Sequence, residues 1–273
     1  MRDPRLKTVE EYAERLQQEA ETPGFLAKLG GRLATTWMLF TRIPLPAAWL
    51  PREARLPDAD DLALVPVAGA VFGLLAALPA QLALLALPPL PAAWISCVVY
   101  ALFGWTLHLD GWGDLWDGIG SGRRGEAMRA VMKDSNCGAF GVTGIVLALS
   151  LRAALLAAVH PALWLPACAL AAGVGRYGIA AAAYVGEYPW EKGMGLTNVR
   201  NFKGYQLFCA TLATCLLLPL GPIAWLGGIL TAGLSGAGLA LWSNRTLGGT
   251  NGDVLGASAV LGELLVLACC AMG

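Results

Sequence analysis

Residues 92–118 read AAWISCVVYALFGWTLHLDGWGDLWDG, and the reading of this run decides the fold. Its first part, Ala92 to Leu107, is apolar and, with its flanks, long enough to lie in a bilayer. Its second part carries Asp110, Asp114 and Asp117 at i, i+4 and i+7. On a helix these fall within roughly 60° of one another. Like charges on one helical face repel, and carboxylates beside lipid are costly to ionise. A divalent cation removes both costs, and an all-oxygen ligand set suits Mg²⁺ best. The plain alternative is a solvated acidic helix end.

Composition supports a lipid setting. The chain is 56% hydrophobic and 14% charged, with a mean hydropathy of +0.58, whereas soluble domains carry about 25% charged residues. Zero net charge leaves no electrostatic footprint for a nucleic acid. Seven cysteines, mostly inside apolar segments and without a C-x-x-C pair, read as reduced, packed thiols. The first thirty residues lack the apolar core of a cleavable signal peptide.

Outward from the quoted run, the sequence predicts an all-α polytopic integral membrane helix bundle. Apolar spans are expected at 62–87, 92–109, 139–159, 163–185, 207–219, 223–242 and 254–272. That makes about seven, within a range of six to eight, and 207–219 is the shortest against the roughly 20 residues needed to cross. Residues 1–33 form a separate N-terminal segment, an amphipathic helix with Leu6, Val9, Tyr12, Ala13 and Leu16 at helical spacing, ahead of a membrane-embedded domain over 34–273. Between them and the first long span, Thr41-Arg42-Ile43-Pro44-Leu45-Pro46 breaks a short apolar segment and sets Arg42 near the headgroups, either snorkelling or free to grip a phosphate.

The connections alternate in charge. Pro88 to Pro91, His160 to Ala162 and Pro219 to Pro222 contain neither Lys nor Arg. The N-terminal region, 110–138, 186–206 and 243–253 carry nearly all the charge, which places them together on the cytoplasmic side under the positive-inside rule. After the aspartates, Arg123, Arg124 and Arg129 can serve simply to orient the protein. Lys133-Asp134-Ser135 offers a cation for a phosphate, a carboxylate and a hydroxyl, the parts phosphoryl transfer needs. In the last charged connection, Arg245 precedes Gly248-Gly249-Thr250-Asn251-Gly252-Asp253, where Asp253 is either a helix cap or a metal ligand. Arg176 lies inside a span, facing a polar cavity or pairing with an acidic neighbour. Glu263 is expected to face the same cavity as the aspartates.

Taken together, these blocks resemble one family, adenosylcobinamide-GDP ribazoletransferase, also called cobalamin-5′-phosphate synthase. His108 to Gly118 is similar to its H-L-D-G-x-x-D-x-x-D-G hallmark, and Met132 to Gly141 to its M-K-D-S-x-x-G-A-F-G block. Leu39 to Pro46 and Gly252 to Ala257 match two shorter blocks, in the family's order. Trp112 and Trp116 depart from the smaller residues expected there, and 186–206 matches poorly. The resemblance implies a membrane-bound transferase that joins α-ribazole or its 5′-phosphate to adenosylcobinamide-GDP and releases GMP. It implies Mg²⁺ on Asp110, Asp114 and Asp117, with Asp134 or Asp117 as base and Lys133 neutralising the diphosphate. Substrate contacts are expected from His108, Arg42, Ser135, Arg245, Asn251 and Asp253. The setting is the bacterial inner membrane with the site towards the cytoplasm, and a homo-oligomer is compatible with it. A CDP-alcohol phosphatidyltransferase-like enzyme also spaces aspartates beside glycines, but its Ala-Arg pair is missing here. A cation transporter would hold its carboxylates at mid-membrane in two repeat halves, whereas these cluster at one interface.

Overall fold

The computed structural model describes residues 24–50, 57–193 and 195–272. Most of the expected N-terminal amphipathic helix therefore lies outside the described residues. The described chain begins with α1 (Phe25–Phe40), which runs through the expected segment boundary at residue 33 and stops before the prolines at 44 and 46. Arg32 on α1 grips Asp58, Asp60 and Asp61 at 2.7, 2.9 and 3.2 Å. This ties α1 to the helical turn Ala59–Leu62 that leads into the bundle.

The bundle is built from α2 (Val65–Ala83), α3 (Pro89–Tyr100), α4 (Thr106–Gly120), α5 (Gly125–Met132), α6 (Ala139–Ala158), α7 (Trp164–Gly175), α8 (Tyr177–Val185), α9 (Gly204–Cys215), α10 (Pro222–Thr246) and α11 (Gly252–Met272). Among the described residues, five helical stretches are long and apolar enough to cross a membrane, with α7 and α8 counted as one stretch over Pro161–Val185. The α3–α4 pair makes a sixth if its two arms are one span. The seventh expected span, 207–219, is the shorter apolar stretch Gly204–Leu220.

The main difference from expectation lies in 92–109. The chain does not cross straight there; it winds into a π-helical turn at Ala101–Trp105, and the arms on either side diverge by 94°. A π turn is a recognised cause of a sharp kink, because its altered hydrogen bonding leaves backbone groups to be satisfied elsewhere. Here the Arg42 N–H donates to Phe103 O at 2.6 Å. Gly104 lies so close to the Phe72 ring that no side chain fits between them. The aspartate-bearing helix α4 is thereby a separate arm, laid against α6 and α11.

Small residues let the backbones touch, as expected where lipid supplies no hydrophobic drive between helices. Gly69 and Gly73 of α2 abut the α7 carbonyls of Ala172 and Cys168, and Gly175 of α7 abuts Glu263 of α11. At this α7–α11 contact sits a buried ion network. Glu263 pairs with Arg152 of α6 at 3.1 Å and with Arg176 at 3.6 Å, and these side chains are at most 2% exposed. The Tyr100 hydroxyl donates to Glu263 at 2.9 Å and accepts from Arg176 at 3.1 Å. Its ring lies 4.0 Å from the Arg152 guanidinium carbon. Glu263 therefore belongs to the structural interior, a correction to its expected place in the site cavity: an ionised carboxylate amid lipid-embedded helices needs cations, and two are supplied. Arg176 takes the second of its two expected roles, pairing with an acidic neighbour.

Removing one member of a buried ion pair leaves its partner charged and unsolvated, at a cost of about 3–5 kcal/mol. Glu263→Leu is expected to lower the unfolding midpoint of the detergent-solubilised protein accordingly. Glu126→Gln, at an exposed pair, should stay within about 0.5 kcal/mol of the original. Calorimetric or denaturant unfolding of both variants measures the difference.

Candidate functional site

The described parts of the four charged regions named above meet at one end of the bundle. The Thr250 N–H donates to Glu187 O at 2.7 Å, and Asn244 Oδ1 accepts from the Glu187 N–H at 3.1 Å, joining the second and third connections. The Gly138 N–H donates to Asp117 at 2.7 Å, closing the first onto α4. Arg32 with Asp58 brings in the N-terminal side.

α4 presents its aspartates between α6 and α11. Gly111 rests on the backbone of Asp253, where an added Cβ would lie 2.8 Å from both its Cα and its carbonyl oxygen. Gly256 in turn sits against the backbone of His108. This double glycine contact brings a fourth carboxylate to the triplet, and Asp114 lies within electrostatic reach of Asp253, Asp110 and Asp117. Asn251 takes the cap of α11: its Oδ1 accepts from the Val254 N–H at 3.1 Å and its Nδ2 donates to Asp253 at 2.7 Å. Asp253 is thus turned towards the aspartates and is not itself the cap.

The triplet divides by environment. Among the described residues, Asp110 and Asp114 accept no hydrogen bond and pair with no cation. Asp117 accepts from the Gly138 N–H at 2.7 Å and the Gly141 N–H at 2.8 Å. A Cβ at either position would strike the Asp117 carboxylate and push it from these bonds. Asp117 therefore anchors the loop ahead of α6 while keeping the outer lone pairs of its oxygens. Among the described residues no group of three or more His, Cys, Asp or Glu side chains is placed to hold a metal ion. Two unpartnered, mutually repelling carboxylates with two more close by are nonetheless a fitting donor set for Mg²⁺. That ion commonly takes one or two protein carboxylates and completes its shell with phosphate oxygens and water.

The bulk of Trp112 and Trp116 is absorbed by α6. The Trp112 indole donates to Gly144 O at 2.9 Å, and Trp116 lies over Gly144 itself. Lys133, Asp134 and Ser135 are exposed on the loop ending at Gly138. Asp134 accepts from both the backbone N–H and the Nδ2 of Asn136 at 2.9 Å, which holds its carboxyl below the usual range. That makes it a ready turn former and a weak proton acceptor. Cys137 lies on the same loop; partial burial, then the charges of Asp117, Asp114 and Asp110, push its thiol up. Lys133 and Arg129 act electrostatically on Asp253.

The remaining expected site residues fall into two groups. His108 is buried with its ring 5.0 Å from that of Phe40, and neither ring nitrogen has a partner among the described residues. Arg42 and Arg245 are exposed; Arg42 is held by its backbone bond to Phe103, and Arg245 ends α10, where a cation complements the helix dipole. Among the described residues no contact brings either to the aspartates.

Such an architecture defines an integral-membrane protein with an open, carboxylate-rich site at one end of its helix bundle. A family model described as cobalamin-5-phosphate synthase matches residues 32–271, and the chain belongs to that family. It is 34% identical over 230 residues to the adenosylcobinamide-GDP ribazoletransferase of Bradyrhizobium diazoefficiens, covering 80% of this chain and 87% of that one. It is 32% identical over 243 residues to the protein of the same name from Syntrophobacter fumaroxidans, covering 87% and 96%. With the one from Brevibacillus brevis it shares 32% over 238 residues, covering 84% and 92%. No solved structure matches the chain.

The Gly111–Asp253 contact yields a test that leaves every carboxylate in place. Gly111→Ala forces α4 away from α11, an overpacking that costs about 1–3 kcal/mol, and is expected to lower both the unfolding midpoint and the turnover. Gly238→Ala, on α10 with open space around it, should instead raise stability by about 0.5–1 kcal/mol. Parallel melts and assays of the two variants check the contrast.

Proposed function

We propose that this chain is the transferase that joins α-ribazole, or its 5′-phosphate, to adenosylcobinamide-GDP. The products are adenosylcobalamin, or its 5′-phosphate, and GMP. The observation that carries the reading is the open carboxylate set on α4 and α11, standing in a chain of this family beside the cations Lys133 and Arg129. The site faces the cytoplasm across a bacterial inner membrane; the support is the charge of the connections gathered at that end and its absence from the opposite turns.

In this reaction a hydroxyl oxygen of the acceptor bonds to the phosphorus attached to cobinamide, the P–O–P link to GMP breaks, and the hydroxyl proton is taken up by a base. Asp110 and Asp114, with Asp117 and Asp253 in support, would hold Mg²⁺, which would supply charge stabilisation to the diphosphate. Lys133 offsets the charge that develops on the departing GMP. Each of the two expected bases accepts two hydrogen bonds, and Asp117 is preferred because it stands on α4 with the other carboxylates whereas Asp134 lies on the exposed loop. Glycines at 138 and 141 let the loop close over that carboxylate. A lipid-embedded bundle suits large intermediates that are costly to lose.

Asp110→Asn and Asp114→Asn keep shape and remove ligand charge. Each is expected to lower turnover at least about 10²–10³-fold, the effect of losing one stabiliser of transition-state charge. Purified protein assayed with adenosylcobinamide-GDP and each acceptor decides; full activity in both variants would overturn the assignment. With Asp134 serving the turn, Asp134→Asn should retain most of kcat. A loss of about 10²–10⁴-fold at unchanged KM would return the base to Asp134.

A further inference from the structure

The connection Gly186–Lys192 packs beside the carboxylates and holds a cation in place. The Trp190 ring edge rests on Gly249, where an added Cβ would lie 2.9 Å away. Tyr188 meets the indole edge-on, at 5.1 Å and 80°, and its own hydroxyl donates to Lys192 O at 2.8 Å. Over the indole so fixed lies the Arg129 guanidinium, 4.2 Å from the ring centroid. A cation stacked on an aromatic face is held in orientation without using its N–H groups.

Those N–H groups are short of acceptors. The Arg129 side chain is 14% exposed, and its one ion-pair partner, Glu126 at 3.2 Å, is 73% exposed. Its Nε is buried without an acceptor among the described residues. A chain rarely buries a guanidinium N–H unsatisfied, and a solvent-facing pair such as that with Glu126 contributes little. Lys133 follows one turn later on the same face of the chain, and both cations act on Asp253. The arrangement has two signs: carboxylates suited to a metal ion, and beside them Lys133 and an Arg129 whose ion pair is with the exposed Glu126. A ligand that satisfies both must carry several anionic oxygens on a compact centre. A phosphate or diphosphate does so, and arginine grips its oxygens two at a time.

We infer that Arg129, clamped on Trp190 and assisted by Lys133, binds the phosphate of the nucleoside monophosphate half of the substrate. The inference rests on the transferase reading above and adds to it the subsite for the departing GMP. Trp190 acts as a positioning residue: it sets the guanidinium and does not itself touch phosphate.

The test uses the full-length protein in detergent with Mg²⁺. Binding of inorganic pyrophosphate is measured by calorimetry, and GMP inhibition is measured in the transferase assay. Arg129→Gln is expected to weaken both about 10-fold or more, the loss of a charge-assisted hydrogen-bonded contact. Arg129→Lys should recover part of the affinity. Trp190→Leu should weaken both about 2–10-fold, as fits a partly buried cation–π stack. Glu126→Gln should bind pyrophosphate as the original does. Unchanged pyrophosphate and GMP affinities in Arg129→Gln would overturn the subsite; if that variant fails to fold, unchanged affinities in Arg129→Lys overturn it equally. An original protein that binds pyrophosphate through Arg129 but transfers nothing from adenosylcobinamide-GDP would remove the transferase reading and leave the anion subsite standing. An active enzyme indifferent to Arg129 would do the reverse.

Discussion

Charges inside a lipid-embedded bundle must find their counter-charges within the protein, and Glu263 with Arg152 and Arg176 is where this chain meets that demand. The group ties α11 to α6 and to the α7–α8 stretch, and through the Tyr100 hydroxyl to α3. An ion pair in such surroundings adds little net stability over a well-packed apolar core, but it tolerates few alternative arrangements. Its consequence is register. Once α11 is set along and around its axis at Glu263, the same rigid helix fixes where Asp253 emerges at its other end.

The register is carried to the site by contacts too close for side chains. Gly175 against Glu263, Gly256 against His108 and Gly111 against Asp253 are successive points at which α11 meets its neighbours backbone to backbone. Glycine at these points brings carboxylates on different helices near one another, although their mutual repulsion would drive the helices apart. The site is therefore assembled against its own electrostatics, and the packing of the interior supplies the restraint. The π turn contributes from the other side, because it sets the aspartate-bearing arm at 94° to α3.

Much of this was legible in residue order. Apolar runs located the crossing segments, the i, i+4, i+7 spacing put three aspartates on one face, and the basic connections marked the end at which they gather. What escaped notice depends on long-range partners. Arg152 sits in an apolar run as a lone cation, a sign that an acidic residue elsewhere must answer it, yet nothing local says that Glu263 does. The 94° bend follows no proline; Gly104 is its one trace. Asn251 and Asp253 are both plausible caps by residue type, and only the fold shows which one turns towards α4. The pairing of Arg129 with Trp190 joins two connections whose meeting the order of residues does not announce.

The buried pair also has a history in biosynthesis. Arg152 and Glu263 are 111 residues apart in the chain. At about 5–20 residues per second, α11 leaves the ribosome on the order of ten seconds after α6. Through that interval both arginines are present in nascent spans without their carboxylate, and an arginine at the centre of a lone helix disfavours insertion by about 2.5–3.5 kcal/mol. The helix that carries Asp253 to the site is thus also the last to arrive, and it brings the carboxylate that answers both arginines of the earlier spans.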